Sequence, residues 1–452
     1  MNARVPTELG TERIPKLLKQ YAVPAIIAMT AASLYNMVDA IFIGHGVGPY
    51  AISGLALTFP FMNLAAAFGT LVGVGASTMA SMLLGQKNYD MAKKVLGNVV
   101  VLNFLIGLAF TIVALVFLDP ILYFFGASEN TISYAREYMQ IILAGNVVTH
   151  IYFGLNSLMR SVGHPKKAMA ATIMTVLLNA ALDPLFIFSF DMGIRGAAVA
   201  TILAQIVALV LVAVWFCDKR ELIHFEKGIF RLDHRIVKDS IVIGLAPFLM
   251  NFVACFVVII INMRLKTYGG DLAIGAYGIV NRISFVFIMI VSGLTQGMQP
   301  IAGYNYGARQ MSRVYQVLKK TLMYATVVLT IGFLIGELFP GVVVAIFTDD
   351  PELMEKSVKG MRLVVGMFPV VSLSMVIGNF FQSIGKPKQA IFLSLSRQLI
   401  FLIPCLWILP LFFDIAGVWV SFMVSDFLAS VVGVILLLNF IKKNRSNEEL
   451  QS

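Results

Sequence analysis

Two carboxylates set in apolar sequence carry the chemistry of this chain. Asp39 stands near the far end of YAVPAIIAMTAASLYNMVDAIFIG (21–44), and Asp183 stands in TVLLNAALDPLFIF. An ionised Asp deep in a membrane-crossing helix costs about 2.5–3.5 kcal/mol on insertion scales, so one that is present is expected to face a polar interior. Tyr35 and Asn36 precede Asp39 by four and three residues and share its helix face. Asn179 precedes Asp183 by four and does the same. Pro184 cannot donate to Ala180, which frees that carbonyl as a ligand. Neighbouring segments add Asn156 in FGLNSLMRSVG, and Thr201 and Gln205, four apart, in GAAVATILAQ. Carboxylates, amides and a hydroxyl on adjacent helices suit a hard cation such as Na⁺, which takes oxygen ligands. They equally suit two coupled carboxylates that share a proton. Pro24, about 22 Å down the axis from Asp39 at 1.5 Å per residue, makes a bend feasible and is the candidate conformational hinge.

The elements that position these groups must cross a bilayer. The 452 residues are 59 % hydrophobic and 13 % charged, against about 25 % charged in soluble domains. A span needs roughly 20 apolar residues. Twelve are expected, at about 21–44, 51–84, 95–118, 134–160, 168–190, 194–217, 240–264, 273–302, 318–342, 358–384, 390–413 and 416–440. Residues 1–20 are polar, and the first apolar segment is full length, so it is expected to stay in the mature chain. Gly69 with Gly73, and Gly332 with Gly336, are GxxxG pairs that mark tight helix contact. The three cysteines and five histidines show no disulfide or metal spacing, and no cofactor is expected.

The net charge of +10 invites a nucleic-acid reading, but its placement argues against one. Most of the Lys and Arg residues fall in the N-terminus, in every second loop and in the C-terminus, which makes those segments cytoplasmic. No nucleic-acid partner is expected.

The two halves repeat. GHPKKA (163–168) and GKPKQA (385–390) match at a shift of 222 residues, and at the same shift Gly85 meets Gly307 and Val95-Leu96 meets Val317-Leu318. Each half holds six spans, so the copies share one orientation, as in transporters built around a central cleft. The expected division is a cytoplasmic segment 1–20, an N-terminal lobe 21–217, a linker 218–239, a C-terminal lobe 240–440 and a cytoplasmic tail 441–452. Under the shift, Asp39, Asn179 and Asp183 fall on Ile261, Phe401 and Cys405. The polar group is not duplicated, which places the chemistry in the N-terminal half. In the second half, Asn281, Arg282, Gln296 and Gln299 lie in the eighth span; Arg282 must find a partner, water or the interface. With no acid in the seventh or tenth span, substrate binding is expected to follow apolar area, with substrate charge secondary.

LYNMVDAIFIGHG, LLNAALDPLFIF followed by GIRGAAVAT, and NSLMRSVGHPKKA resemble the multidrug and toxic compound extrusion (MATE) family, with its DinF-like and MepA-like bacterial branch nearest. The resemblance covers about 12–440. It implies an all-α polytopic membrane protein, twelve transmembrane helices in two pseudo-symmetric six-helix lobes around a central cleft. It further implies alternating access in a bacterial inner membrane, export of cationic or amphipathic compounds in exchange for H⁺ or Na⁺, and a functional monomer. By motif, Asp39, Asn179, Asp183 and Thr201 match the family's cation site, with Asn156 beside it, and Pro24 matches the proline at which the first helix bends. The alternative is a flippase for a lipid-linked cell-envelope precursor from the same superfamily. The chain shows no nucleophile–base motif and no phosphate-binding GxxxxGK[ST] loop, so neither an enzyme nor an ATP-driven pump is expected.

The charge pattern predicts that a reporter fused after residue 440 is active only when it functions in the cytoplasm. Activity of a periplasmic-type reporter at that position would reverse the topology.

Overall fold

The computed structural model describes residues 6–47 and 49–449; side chains at 34–41, 44–46, 49, 50, 52, 56, 271 and 445–449 lie outside the description. Every element of regular structure described is helical. Among the described residues, nine helices are long and apolar enough to cross a bilayer: Ser53–Gly85, Tyr89–Val116, Pro165–Ser189, Gly193–Trp215, His234–Gly270, Leu272–Gly307, Met311–Leu338, Pro387–Ile408 and Pro410–Asn444. Two further crossings are bent pairs, Ile132–Ala144 with Asn146–Ser161 and Pro351–Val365 with Phe368–Ser383. The helix Ile14–Gly46 supplies the first span. These are the twelve crossings expected, in the expected order.

Local chemistry sets the ends. Asn88, Asp233 and Asp350 accept backbone N–H bonds at the starts of the third, seventh and tenth spans, which satisfies donors that a helix leaves orphaned. Pro165 and Pro387 open the fifth and eleventh spans, where a missing N–H does no harm. The seventh and eighth spans join at Gly270, whose φ of 70° lies in the region that favours glycine.

The repeat is visible in the geometry. The fourth and tenth spans bend by 54° and 53°. The lobes touch through contacts that come in pairs at the shift of 222. A methyl group placed on Gly85 would lie 1.9 Å from the carbonyl oxygen of Tyr304, and one on Gly307 would lie 2.1 Å from that of Met82. Under the shift, Gly85 becomes Gly307 and Met82 becomes Tyr304, so the second and eighth spans cross backbone to backbone on a pseudo-twofold axis. The second span also meets the seventh at Gly75 and Ser240, and the eighth meets the first at Gly297 and Ala22. The GxxxG pairs behave as expected: Gly73 faces Gly154, and Gly336 faces Val365.

Two segments, one ahead of the first span and one ahead of the seventh, tie the lobes together. Ahead of the first span, the carbonyl of Leu9 accepts from Asn305 Nδ2 at 2.9 Å, and that of Glu12 accepts from an Arg313 guanidinium nitrogen at 2.7 Å. Ahead of the seventh span, Asn98 Nδ2 donates to the carbonyl of Arg231 at 3.1 Å, and Asp233 N donates back to Asn98 Oδ1 at 2.9 Å. Each lobe's lead-in is thus held by the other lobe.

Since no side chain can move aside where backbone meets backbone, Gly85→Val should lower the thermal midpoint in detergent by the equivalent of about 1–3 kcal/mol. Gly341→Ala, whose added methyl meets nothing within 4 Å, should leave it unchanged. Equal midpoints for the two variants would refute the crossing.

Candidate cation site

The fifth and sixth spans lie side by side, and their facing sides carry the polar group. Asn179 Nδ2 donates to Asp183 Oδ1 at 3.2 Å and to Thr201 Oγ1 at 3.3 Å. All three residues are buried, Asp183 completely. With both amide hydrogens spent in this way, Asn179 Oδ1 is buried and accepts from no donor among the described residues. Buried polar atoms are nearly always satisfied, so an orphan calls for an explanation. An amide oxygen beside a carboxylate and a hydroxyl matches the all-oxygen donor set that hard cations take.

The backbone positions this group through Pro184. The fifth span is α-helical over Pro165–Pro184 and continues as a π turn over Leu185–Ser189. The register changes where the missing proline N–H already breaks the ladder. Gly196 lets the sixth span start against that turn: a methyl there would lie 2.8 Å from the Phe186 carbonyl.

The other expected residues distribute as follows. Tyr35, Asn36 and Asp39 belong to the first helix, but their side chains lie outside the described residues. Asn156 joins a separate cluster between the fourth and fifth spans, donating to Tyr152 Oη at 3.2 Å and Thr172 Oγ1 at 3.0 Å, with its own Oδ1 buried and unpartnered. Gln205, one turn from Thr201, accepts from Thr149 Oγ1. Gln296 is at the lobe seam, where its Oε1 accepts from the Arg160 guanidinium of the fourth span. Pro24 is buried in a helix that runs unbroken through it. Arg282 is exposed.

Buried charge in the C-terminal lobe was not anticipated. Arg397 Nε donates to Asp426 Oδ1 at 2.5 Å, between the eleventh and twelfth spans, with the Asp426 side chain only 10 % exposed. Under the shift these positions correspond to Thr175 and Ala204, each about one turn from Asn179 and Thr201. The polar group therefore has a counterpart after all, displaced by a turn and neutralised within the chain. A search for like residues at like positions passes over it; a search for opposite charges within one helical hairpin finds it. His150 was missed as well: it is fully buried, with Nε2 2.9 Å from the Ala65 carbonyl. Among the described residues no cluster of three or more His, Cys, Asp or Glu side chains is placed to hold a metal.

The family model MatE matches residues 24–185 and again 247–408, once in each lobe. The chain belongs to the MatE family. Among curated proteins it is similar to "Multidrug export protein MepA" of Staphylococcus aureus (strain MSSA476), 26 % identical over 422 residues and 93 % of each chain. It is also similar to the protein of that name from Staphylococcus haemolyticus (strain JCSC1435), at 24 % over 93 % of each. Among solved structures, it shares its fold with a multidrug resistance MATE family transporter described as outward-facing, at a TM-score of 0.92, with 23 % identity and 99 % and 100 % of the two chains covered. A MOP superfamily transporter from Pyrococcus furiosus, described as having a binding pocket of reverse polarity, matches at a TM-score of 0.91, with 23 % identity over 96 % and 98 %. This MatE protein is therefore an all-α multi-pass membrane protein whose twelve helices form two pseudo-symmetric lobes.

Removing one partner of a buried ion pair costs about 3–5 kcal/mol. The Arg397 side chain keeps 36 % of its surface, so Arg397→Met should cost less, about 1–3 kcal/mol. Adding Asp426→Asn should recover most of that loss. Thermal unfolding in detergent checks this, and equal midpoints for the single and double variants would count against the pair.

Proposed function

We propose that this protein is a secondary multidrug efflux antiporter that exports cationic or amphipathic small molecules in exchange for H⁺ or Na⁺ by alternating access. The multidrug export relatives support the transport class. The observation that carries the coupling is the buried Asn179 Oδ1 with no donor, held against Asp183 and Thr201. In this reading Asp39 and Asp183 take the cation, Asn179 and Thr201 orient it, and Asn156 lies beside the path. Tyr35, Asn36 and Gln205 are auxiliary. The working unit is a monomer in a bacterial cytoplasmic membrane, with lobes 21–217 and 240–440 joined by 218–239 and both termini cytoplasmic. The flippase alternative draws no support from the relatives.

The drive follows from burial. In this reading an empty site would leave two nearby carboxylates in a low-dielectric interior, which is unfavourable. A bound cation relieves this and lets the first helix relax, with Pro24 as the place of bending. A ligand shifts an equilibrium only by its differential affinity, so the cation must bind the outward-facing state more tightly. Each charge that moves inward adds about 2.3 kcal/mol per 100 mV, roughly a fiftyfold shift in population.

Asp183→Asn and Asp39→Asn should fold and insert, yet lose gradient-driven export. Cys405→Ala, at the matching place in the other repeat, should behave as wild type. Efflux from proteoliposomes under separately imposed pH and Na⁺ gradients checks this and identifies the ion. Normal coupling in both Asp variants would end the proposal.

A further inference from the structure

We propose that Arg282 forms an anion-accepting subsite in the central cleft, suited to the carboxylate of an aromatic amphiphile. This deepens the efflux reading and rests on it. The eighth span changes environment along a single face. Positions 282, 286, 289, 293 and 297 recur at helical spacing and form one stripe. Gly293 and Gly297 are buried, and methyl groups there would lie 2.6 Å from Ile26 Cα and 2.5 Å from Ala22 Cα, so this stretch of the stripe is pressed against the first span. Further along, the same stripe comes out of contact: Arg282 is exposed, Val286 is 57 % exposed, and Phe285 beside them is 43 % exposed. The face that meets the other lobe at Gly293 therefore opens about 16 Å further on, at 1.5 Å per residue. We take that opening as the cleft between the lobes, since Arg282 stands eleven residues, about three turns, from Gly293 and so on the same helix face.

Its charge is uncommitted. Three buried or half-buried guanidinium groups within the spans are engaged: Arg397 with Asp426, Arg160 with Gln296, and Arg264 with the carbonyls of Leu406 and Trp407. Arg282 has no hydrogen-bond or ion-pair partner among the described residues. A fixed guanidinium presents a planar fork of donors that matches a carboxylate bidentately, in a geometry an ammonium cannot copy. Aromatic surface lies on the preceding span of the same lobe. Phe248 packs on Phe68 of the second span at 4.7 Å, Phe252 stacks on Phe248 at 6.0 Å, and Phe256 follows at 5.2 Å. Rings that begin at the lobe seam, together with a free guanidinium, suit a flat apolar body that carries an acid.

The test compares two rhodamine dyes that differ only in a free carboxylate against its ethyl ester. Binding to the purified full-length protein is read by fluorescence polarisation. In wild type the acid should bind at least as tightly as the ester. R282Q should weaken the acid roughly tenfold, the scale of one lost charge-assisted contact, and leave the ester within about twofold. R282K, which keeps the charge but not the fork, should fall between. Ester binding also reports folding of each variant. Equal losses for acid and ester in R282Q and R282K, or no loss of the acid in either, would overturn the subsite. Failure of the efflux reading shows elsewhere, as the absence of gradient-driven export of the ester dye by wild type in vesicles.

Discussion

A hydrocarbon layer offers no partner to a polar group, and this structure is organised by that fact. Helices satisfy their own backbones, so the described elements are helical throughout. Exceptions occur where something stands ready to receive the freed group. Arg264 is 9 % exposed, and its guanidinium donates to the carbonyls of Leu406 and Trp407, at the end of the helix Ile403–Ile408. Asn98 serves the lead-in to the seventh span, and Asn305 with Arg313 serves the lead-in to the first. Against that background an oxygen left without a donor, such as Asn179 Oδ1, stands out.

The same constraint separates two kinds of buried carboxylate. Asp426 holds a tethered counter-charge from Arg397 and is neutral as a unit in every state of the molecule in which the pair stays closed. Asp183 accepts from the Asn179 amide, a dipole, where Asp426 faces a tethered guanidinium. The scaffold is duplicated, and the arrangement of buried charge differs between the two lobes.

Most of the fold was legible in the sequence, because apolar length, Lys and Arg placement and a repeat shift are one-dimensional signals. The helix order and the pairing of Asn179 with Asp183 follow from spacing, and Thr201 joined them through the family resemblance. What spacing could not supply was partnership between helices. Asn156 shares the polarity of the triad, yet Tyr152 and Thr172 hold it elsewhere. Gln296, one of the polar residues of the eighth span, joins the lobes through Arg160. Arg397 and Asp426, 29 residues apart, declare themselves only once the eleventh and twelfth spans are folded against each other.

The crossed lead-ins bear on how the chain is made. Leu9 and Glu12 leave the ribosome well before Asn305 and Arg313, which hold them; Asn305 follows Leu9 by 296 residues. The N-terminal lobe can insert early, whereas its own leading segment must wait until the ninth span has begun to arrive. The opposite lead-in has no such wait, since Asn98 is in place before Arg231 and Asp233 are translated. Two contacts that mirror each other in space are therefore unequal in time, and the last lock to close is the one at the N-terminus.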